Sequence, residues 1–130
     1  MSTKTKSHIS EIGLVIVVST DQDRSVTFYE GLGFEKRTDI PFGDGYRWGE
    51  VAPGDAVTTI ALAPPPPGGS AGNRETGIGL QTEDIDAFHA ELKAAGVDVD
   101  PEVSRMGDPV PPLFWLRDPE GNSLMVVESS

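Results

Sequence analysis

Few side chains in this sequence could carry covalent chemistry. There is no cysteine and there are only two histidines among 130 residues, which excludes a thiolate nucleophile, a disulfide and a zinc ribbon. His8 precedes the first patterned segment, and His89 falls beside Ile85, Phe88 and Leu92 at helical spacing, the signature of a packed helical residue rather than a ligand. No serine-histidine-acid spacing, phosphate-cradling glycine loop or carboxylate pair stands out. What remains is a scatter of cations and acids near predicted loops and strand ends, Arg47, Arg105 and Arg117 with Glu50 and Asp108, and two indoles, Trp48 and Trp115. An arginine can fork onto a polar ligand group, a carboxylate can hold a cation or move a proton, and an indole can stack a planar or cationic body. Each charge alone reads first as a solvated surface group, and both tryptophans are equally at home as core or dimer contacts.

The elements that must position these residues are legible from alternation and punctuation. Residues 11–19 read as a strand buried on both faces, with Ile12, Leu14, Ile16 and Val18 on one and Val15 and Val17 on the other. Ser19, Thr20 and Asp21 supply cap-type residues for a helix carrying Val26, Phe28, Tyr29 and Leu32, which stops at Gly31 and Gly33. Strands follow over residues 34–40, 46–51 and 56–63, with turns at Gly43-Asp44-Gly45 and Pro53-Gly54-Asp55. Four prolines and a glycine-rich run then form a spacer, residues 64–74. The order repeats as strand 76–82, helix 84–95, strand 97–100, an irregular loop, strand 113–117 and strand 123–128. One constant offset lays Asp21, Asp23, Gly33 and Phe34 over Asp84, Asp86, Gly96 and Val97, so each helix is entered through Asp-x-Asp and left through a glycine. The expectation is one α+β domain over residues 1–130: a β-α-β-β-β module at about 9–63 and a second at about 75–129.

Ten Lys and Arg against 21 Asp and Glu give a formal net charge of -11, which excludes a nucleic-acid partner, since binding phosphates requires a basic surface. The first ten residues lack an apolar run of signal-peptide length and no segment approaches a membrane span, so a soluble, cytoplasmic protein is expected.

Asp21-Gln22-Asp23-Arg24-Ser25 with Phe28-Tyr29 and Gly31-Leu32-Gly33-Phe34, then Glu83-Asp84-Ile85-Asp86 and Asp118-Pro119-Glu120-Gly121-Asn122, resemble the signatures of the vicinal oxygen chelate superfamily, the glyoxalase, bleomycin-resistance and dioxygenase group. Phe42 to Trp48 looks most like its small bacterial glyoxalase-like members. The resemblance implies tandem modules forming a curled mixed-sheet cup with helices outside and the ligand inside. In metal-dependent members, four strand positions carry histidine and acid ligands. Counting from the motifs, those positions fall at Leu14, Ala61, Gly77 and Met125, none of which donates to a hard divalent cation. No cofactor is therefore expected, the alternative being a divalent metal in a non-standard site.

Taking those positions as inward places Ile12, Leu14, Ile16, Thr59, Ala61, Gly77, Gly79, Gln81, Met125 and Val127 in the cup and Val15, Val17, Ile60, Leu62, Ile78 and Leu80 under the helices. A two-residue turn at Pro53-Gly54 would pair Trp48 with Thr59 and Tyr46 with Ala61, both aromatics facing inward. Trp115 and Leu113 should face inward, Phe114 and Leu116 the helix. The ligand-binding set is then Leu14, Tyr46, Arg47, Trp48, Thr59, Ala61, Gly77, Trp115 and Met125, with no catalytic residue assigned. The resemblance implies a homodimeric binding protein for a small organic ligand, cationic or aromatic, as in drug sequestration. The alternatives are a glyoxalase-type lyase or extradiol-type dioxygenase, with Arg47, Glu50, Asp108 or Glu128 handling protons, and an interaction module.

Overall fold

The computed structural model describes residues 8–41, 43, 45–70 and 72–129. The chain order is β1 (Leu14–Val18), α1 (Gln22–Gly31), β2 (Phe34–Pro41), β3 (Arg47–Pro53), β4 (Thr59–Ala63), β5 (Glu75–Thr82), α2 (Ile85–Ala94), β6 (Asp98–Val99), β7 (Leu113–Arg117) and β8 (Ser123–Glu128). This is the expected pair of β-α-β-β-β units. They form two separate four-stranded mixed sheets, β1-β4-β3-β2 and β5-β8-β7-β6, which do not close into a barrel. β1 and β5 are each a free edge, parallel to β4 and β8 respectively. The expected Gly43-Asp44-Gly45 turn has Asp44, and its neighbour Phe42, outside the described residues.

Both helices begin as the Asp-x-Asp pattern requires. Asp21 accepts the Arg24 amide at 3.0 Å and Asp84 the Ala87 amide at 3.1 Å, satisfying otherwise orphaned helix donors. Gln22 then fixes α1 against its sheet: its side-chain amide donates to the Arg47 and Leu62 carbonyls, and its oxygen accepts the Arg47 amide at 3.0 Å.

The helix-facing residues form one hydrophobic cluster spanning both modules, with Tyr29, Val51, Leu62, Ile85, Phe114, Leu116, Leu124 and Val126 fully buried. The β7–β8 turn joins the halves. Asp118, itself buried, accepts the Tyr29 hydroxyl at 2.9 Å, the Asn122 side-chain amide at 3.2 Å, and the backbone amides of Glu120 and Asn122. Asn122 also donates to the Val18 carbonyl at 3.2 Å, across the module boundary. Burial, and then the Asp118 charge, pushes the Tyr29 hydroxyl far above its ordinary value, so it stays a donor at any physiological pH. Next to it, Glu120 accepts from the Thr20 amide and hydroxyl and pairs with Arg24 at 2.6 Å.

Three expectations change. β1 begins at Leu14, not at residue 11, because the preceding residues meet β4 only through isolated bonds such as Thr59 N–H to the Gly13 carbonyl. β6 shrinks to Asp98–Val99. The tight turn at Pro53-Gly54 is instead a connection over residues 54–58, stabilised by Arg37, which donates to the Gly54 and Ala56 carbonyls.

Candidate functional site

Strand register decides which side chains share the concave, helix-free face of each sheet. In the first, Leu14 is paired with Thr59 and Ile16 with Ala61, while Ala61 faces Glu50 on β3 and Glu50 faces Thr38 on β2. Trp48, two residues from Glu50, lies on the same face opposite Ile40. Trp48 therefore points where expected, although its partner is not Thr59: the longer β3–β4 connection slides the register by an even number of residues and so preserves the face. In the second sheet, Gly79, Met125 and Trp115 lie in one row, with Gln81, Val127 and Leu113 in the next.

The expected ligand residues do not all come together. Leu14, Trp48, Thr59 and Ala61 share the first concave face, and Trp115 and Met125 share the second. Gly77 sits in the stretch of β5 where the register shifts between Glu75 and Gly79, with φ of +74°. Tyr46 precedes β3 and is exposed. Arg47 is turned away. It alternates with Trp48, so it faces α1, where it pairs with Asp23 at 2.7 Å and Asp39 at 2.9 Å. The hydrogen bond and charge from Arg47 hold the Asp23 carboxyl below its usual range, and Arg47 is raised in turn.

The other charges are similarly engaged. Arg105 pairs with Asp86 at 2.7 Å, and Arg117 bridges Asp98 and Asp100, each at 2.9 Å. Glu128 accepts the Ile85 amide at 3.2 Å at the start of α2, on the helix side of its sheet, which removes it from the expected proton-handling set. His89 is buried, its Nε2 2.7 Å from the Asp100 carbonyl and its ring edge-on to Phe114.

Glu50 stands apart. Its Oε2 accepts the Trp48 indole N–H at 2.6 Å and its Oε1 the Thr59 hydroxyl at 2.6 Å, so the carboxylate is fixed on the concave face by two neutral donors. The sequence placed it among charges near predicted loops and cup edges and among the alternatives for proton handling; the Trp48-x-Glu50 spacing is the signal that assigns it to the face of Trp48.

The four positions that the family resemblance aligns with metal ligands, Leu14, Ala61, Gly77 and Met125, do not fit a metal. They offer two hydrocarbon side chains, no side chain and a thioether, where a hard divalent ion needs oxygen or nitrogen donors. Among the described residues there is no group of three or more histidine, cysteine, aspartate or glutamate side chains able to hold a metal ion.

The concave faces are open in a single chain. Ile16 is 58% and Ile40 59% exposed, and Ile12 more so. A cleft of about 740 Å³ runs between the modules, from Ile12, Val15, Phe34 and Ile60 to Ile78, Leu80 and Phe88. Its lining mixes residues from both faces of the free edges, and includes Thr59 and Gly77 but neither tryptophan.

Residues 8–126 match the model of the glyoxalase/bleomycin resistance protein/dioxygenase superfamily. The chain belongs to this superfamily. Among solved structures, it is similar to TnmS3, an antibiotic binding protein from Streptomyces sp. CB03234, with 33% identity, a TM-score of 0.82, and coverage of 96% of this chain and 100% of that one. It is also similar to a superfamily member from Sphaerobacter thermophilus DSM 20745, at 32% identity and a TM-score of 0.84, covering 93% and 98% of the two chains. The uncharacterized protein YetH of Bacillus subtilis (strain 168) is 30% identical over 121 residues, spanning 92% of this chain and 99% of YetH. Glyoxalase-superfamily membership fixes the fold and leaves the site to be argued from its residues. Among the described residues no helix is long and apolar enough to cross a membrane.

Proposed function

We propose that this protein binds a small organic ligand without a metal, between concave sheet faces brought together in a homodimer, and that it serves to sequester that ligand. The observation that carries this reading is the composition of the concave faces. Where a chelating enzyme needs metal donors they present Leu14, Ala61 and Met125, and they add the indoles of Trp48 and Trp115. Such a surface suits stacking and burial of an aromatic body rather than activation of water or oxygen. Similarity along nearly the whole chain to an antibiotic binding protein supports the same reading. The dimer is supported by the exposure of Leu14, Ile16 and Ile40 on one face, an apolar area that a second copy would cover.

The test combines light scattering for oligomeric state with titration of tryptophan fluorescence against a panel of aromatic antibiotics and dyes. A dimer with saturable quenching is expected, with affinity falling about tenfold in Trp48→Ala or Trp115→Ala, the loss of one stacking partner. Stoichiometric retention of an offered divalent metal, with turnover of a hemithioacetal or a catechol, would overturn it.

A further inference from the structure

Glu50 occupies an unusual place for an acid. β3 is an interior strand, and the row through Glu50 on its concave face runs Ile16, Ala61, Glu50, Thr38. The carboxylate is half-buried there, flanked by Ala61 on one side and Thr38 on the other. Trp48 and Thr59 orient it, each through a 2.6 Å bond, but neither carries a charge. Among the described residues no lysine, arginine or histidine nitrogen lies within 4.0 Å of it. The contrast with its neighbour is direct: Arg47 spends its charge on Asp23 and Asp39 on the opposite face.

We propose that Glu50 is the charge-recognising residue of the concave face, and that the ligand is an organic cation, a protonated amine or guanidinium carried on an apolar planar body. The assignment rests on the reading that the concave face holds the ligand, and deepens it. An ionised carboxylate offers about four lone-pair sites, and two are used, which leaves acceptors for the N–H groups of a cation. The Trp48 N–H is committed to Glu50, so the indole presents only its apolar π surface, which attracts a cation beside it. Leu14, Ile16 and Ile40 supply aliphatic contact for the rest of the ligand. An anionic ligand would meet a fixed like charge with no counter-cation.

The experiment compares dansylcadaverine, a planar body bearing a protonated amine, with its N-acetyl derivative, which keeps the body and loses the charge. Dansyl fluorescence is titrated with the intact protein. The cation is expected to bind at least about tenfold more tightly, about 1.4 kcal/mol. Glu50→Gln, which keeps the shape, should bring that ratio to about one by weakening the cation alone. Thr59→Val should lower it severalfold by loosening the carboxylate. Glu91→Gln makes the same change in net charge on an exposed face of α2 and should leave the ratio unchanged. Retained preference in Glu50→Gln, with N-acetyl binding intact as proof of folding, overturns the assignment, as does a wild-type ratio of one. If neither probe binds the wild type, the concave-face ligand reading fails as well; if both bind without preference, only the assignment of Glu50 fails.

Discussion

In the first module the concave face sets Ile16 and Ile40 around the fixed carboxylate of Glu50; in the second it sets Gly79, Met125 and Trp115 near Arg117, whose charge Asp98 and Asp100 already absorb. The same two modules are alike where the backbone makes demands. Each helix runs ten residues and starts on an aspartate that accepts an amide three residues on. Alignment of caps with divergence of face residues is what a duplicated frame carrying one asymmetric site should look like. The first half supplies an uncompensated charge and bulk; the second supplies a neutralised cation, glycine space and a soft thioether.

The two halves depend on each other most at the β7–β8 turn that joins them. Asp118→Ala strands the Tyr29 hydroxyl and two backbone amides, leaves the Asn122 side-chain amide only the Val18 carbonyl, and should cost about 3 kcal/mol, a fall in Tm of roughly 10 °C. Thermal unfolding should remain one transition. Two separate transitions would show that the modules are stable independently and that the shared core is incidental.

Tyr29→Phe removes a single member of that network and leaves Asp118 its other donors, so about 1 kcal/mol is expected in denaturant melts. A loss equal to that of Asp118→Ala would locate the whole junction in the hydroxyl.

Within β5, two glycines separate backbone need from side-chain space. Gly77→Ala places a side chain at φ of +74° and should cost about 1 kcal/mol, although nothing lies within 4 Å of the new Cβ. Gly79→Ala has an ordinary φ, and its Cβ would lie 3.8 Å from the Met125 methyl, so stability should change by under about 0.5 kcal/mol. Equal effects would mean the irregularity in β5 is not held by conformation.

The smallest effect expected is at Glu120. Burial opposes its ionisation, but the Thr20 amide and hydroxyl and the Arg24 charge outweigh that and hold the carboxyl below its ordinary 4.5. A group depressed in the folded state stabilises above its unfolded value, and the contribution disappears as pH falls through the folded value. The Tm difference between wild type and Glu120→Gln should therefore be present at neutral pH and shrink as the pH drops below about 4.5.

Alternation and cap spacing made the frame legible from sequence. Of the helix-facing set, Val17, Ile60, Leu62, Phe114 and Leu116 are buried as their period of two requires, while Val15, Ile78 and Leu80 are only partly covered and line the cleft between the modules. What escaped reading depended on contacts between distant residues. Arg37 stabilises the long β3–β4 connection from another strand, and nothing near Pro53 announces it. Tyr29 and Asp118 lie in different modules, so their bond has no local signal. Arg47 entered the expected set as a cation near a predicted loop and strand end, yet its adjacency to Trp48 on one strand sends the two side chains to opposite faces. The carboxylate of Glu50 could be placed on a face by counting, but not oriented.

The register shift in β5 also bears on how this chain behaves when crowded. A free strand edge templates the addition of another strand when it is straight, and a bulge spoils that template. β5 is interrupted between Glu75 and Gly79, whereas β1 pairs without interruption from Leu14 to Val18 and carries exposed Leu14 and Ile16. Between β1 and β5, then, β1 is the edge from which self-association into larger aggregates would grow more readily.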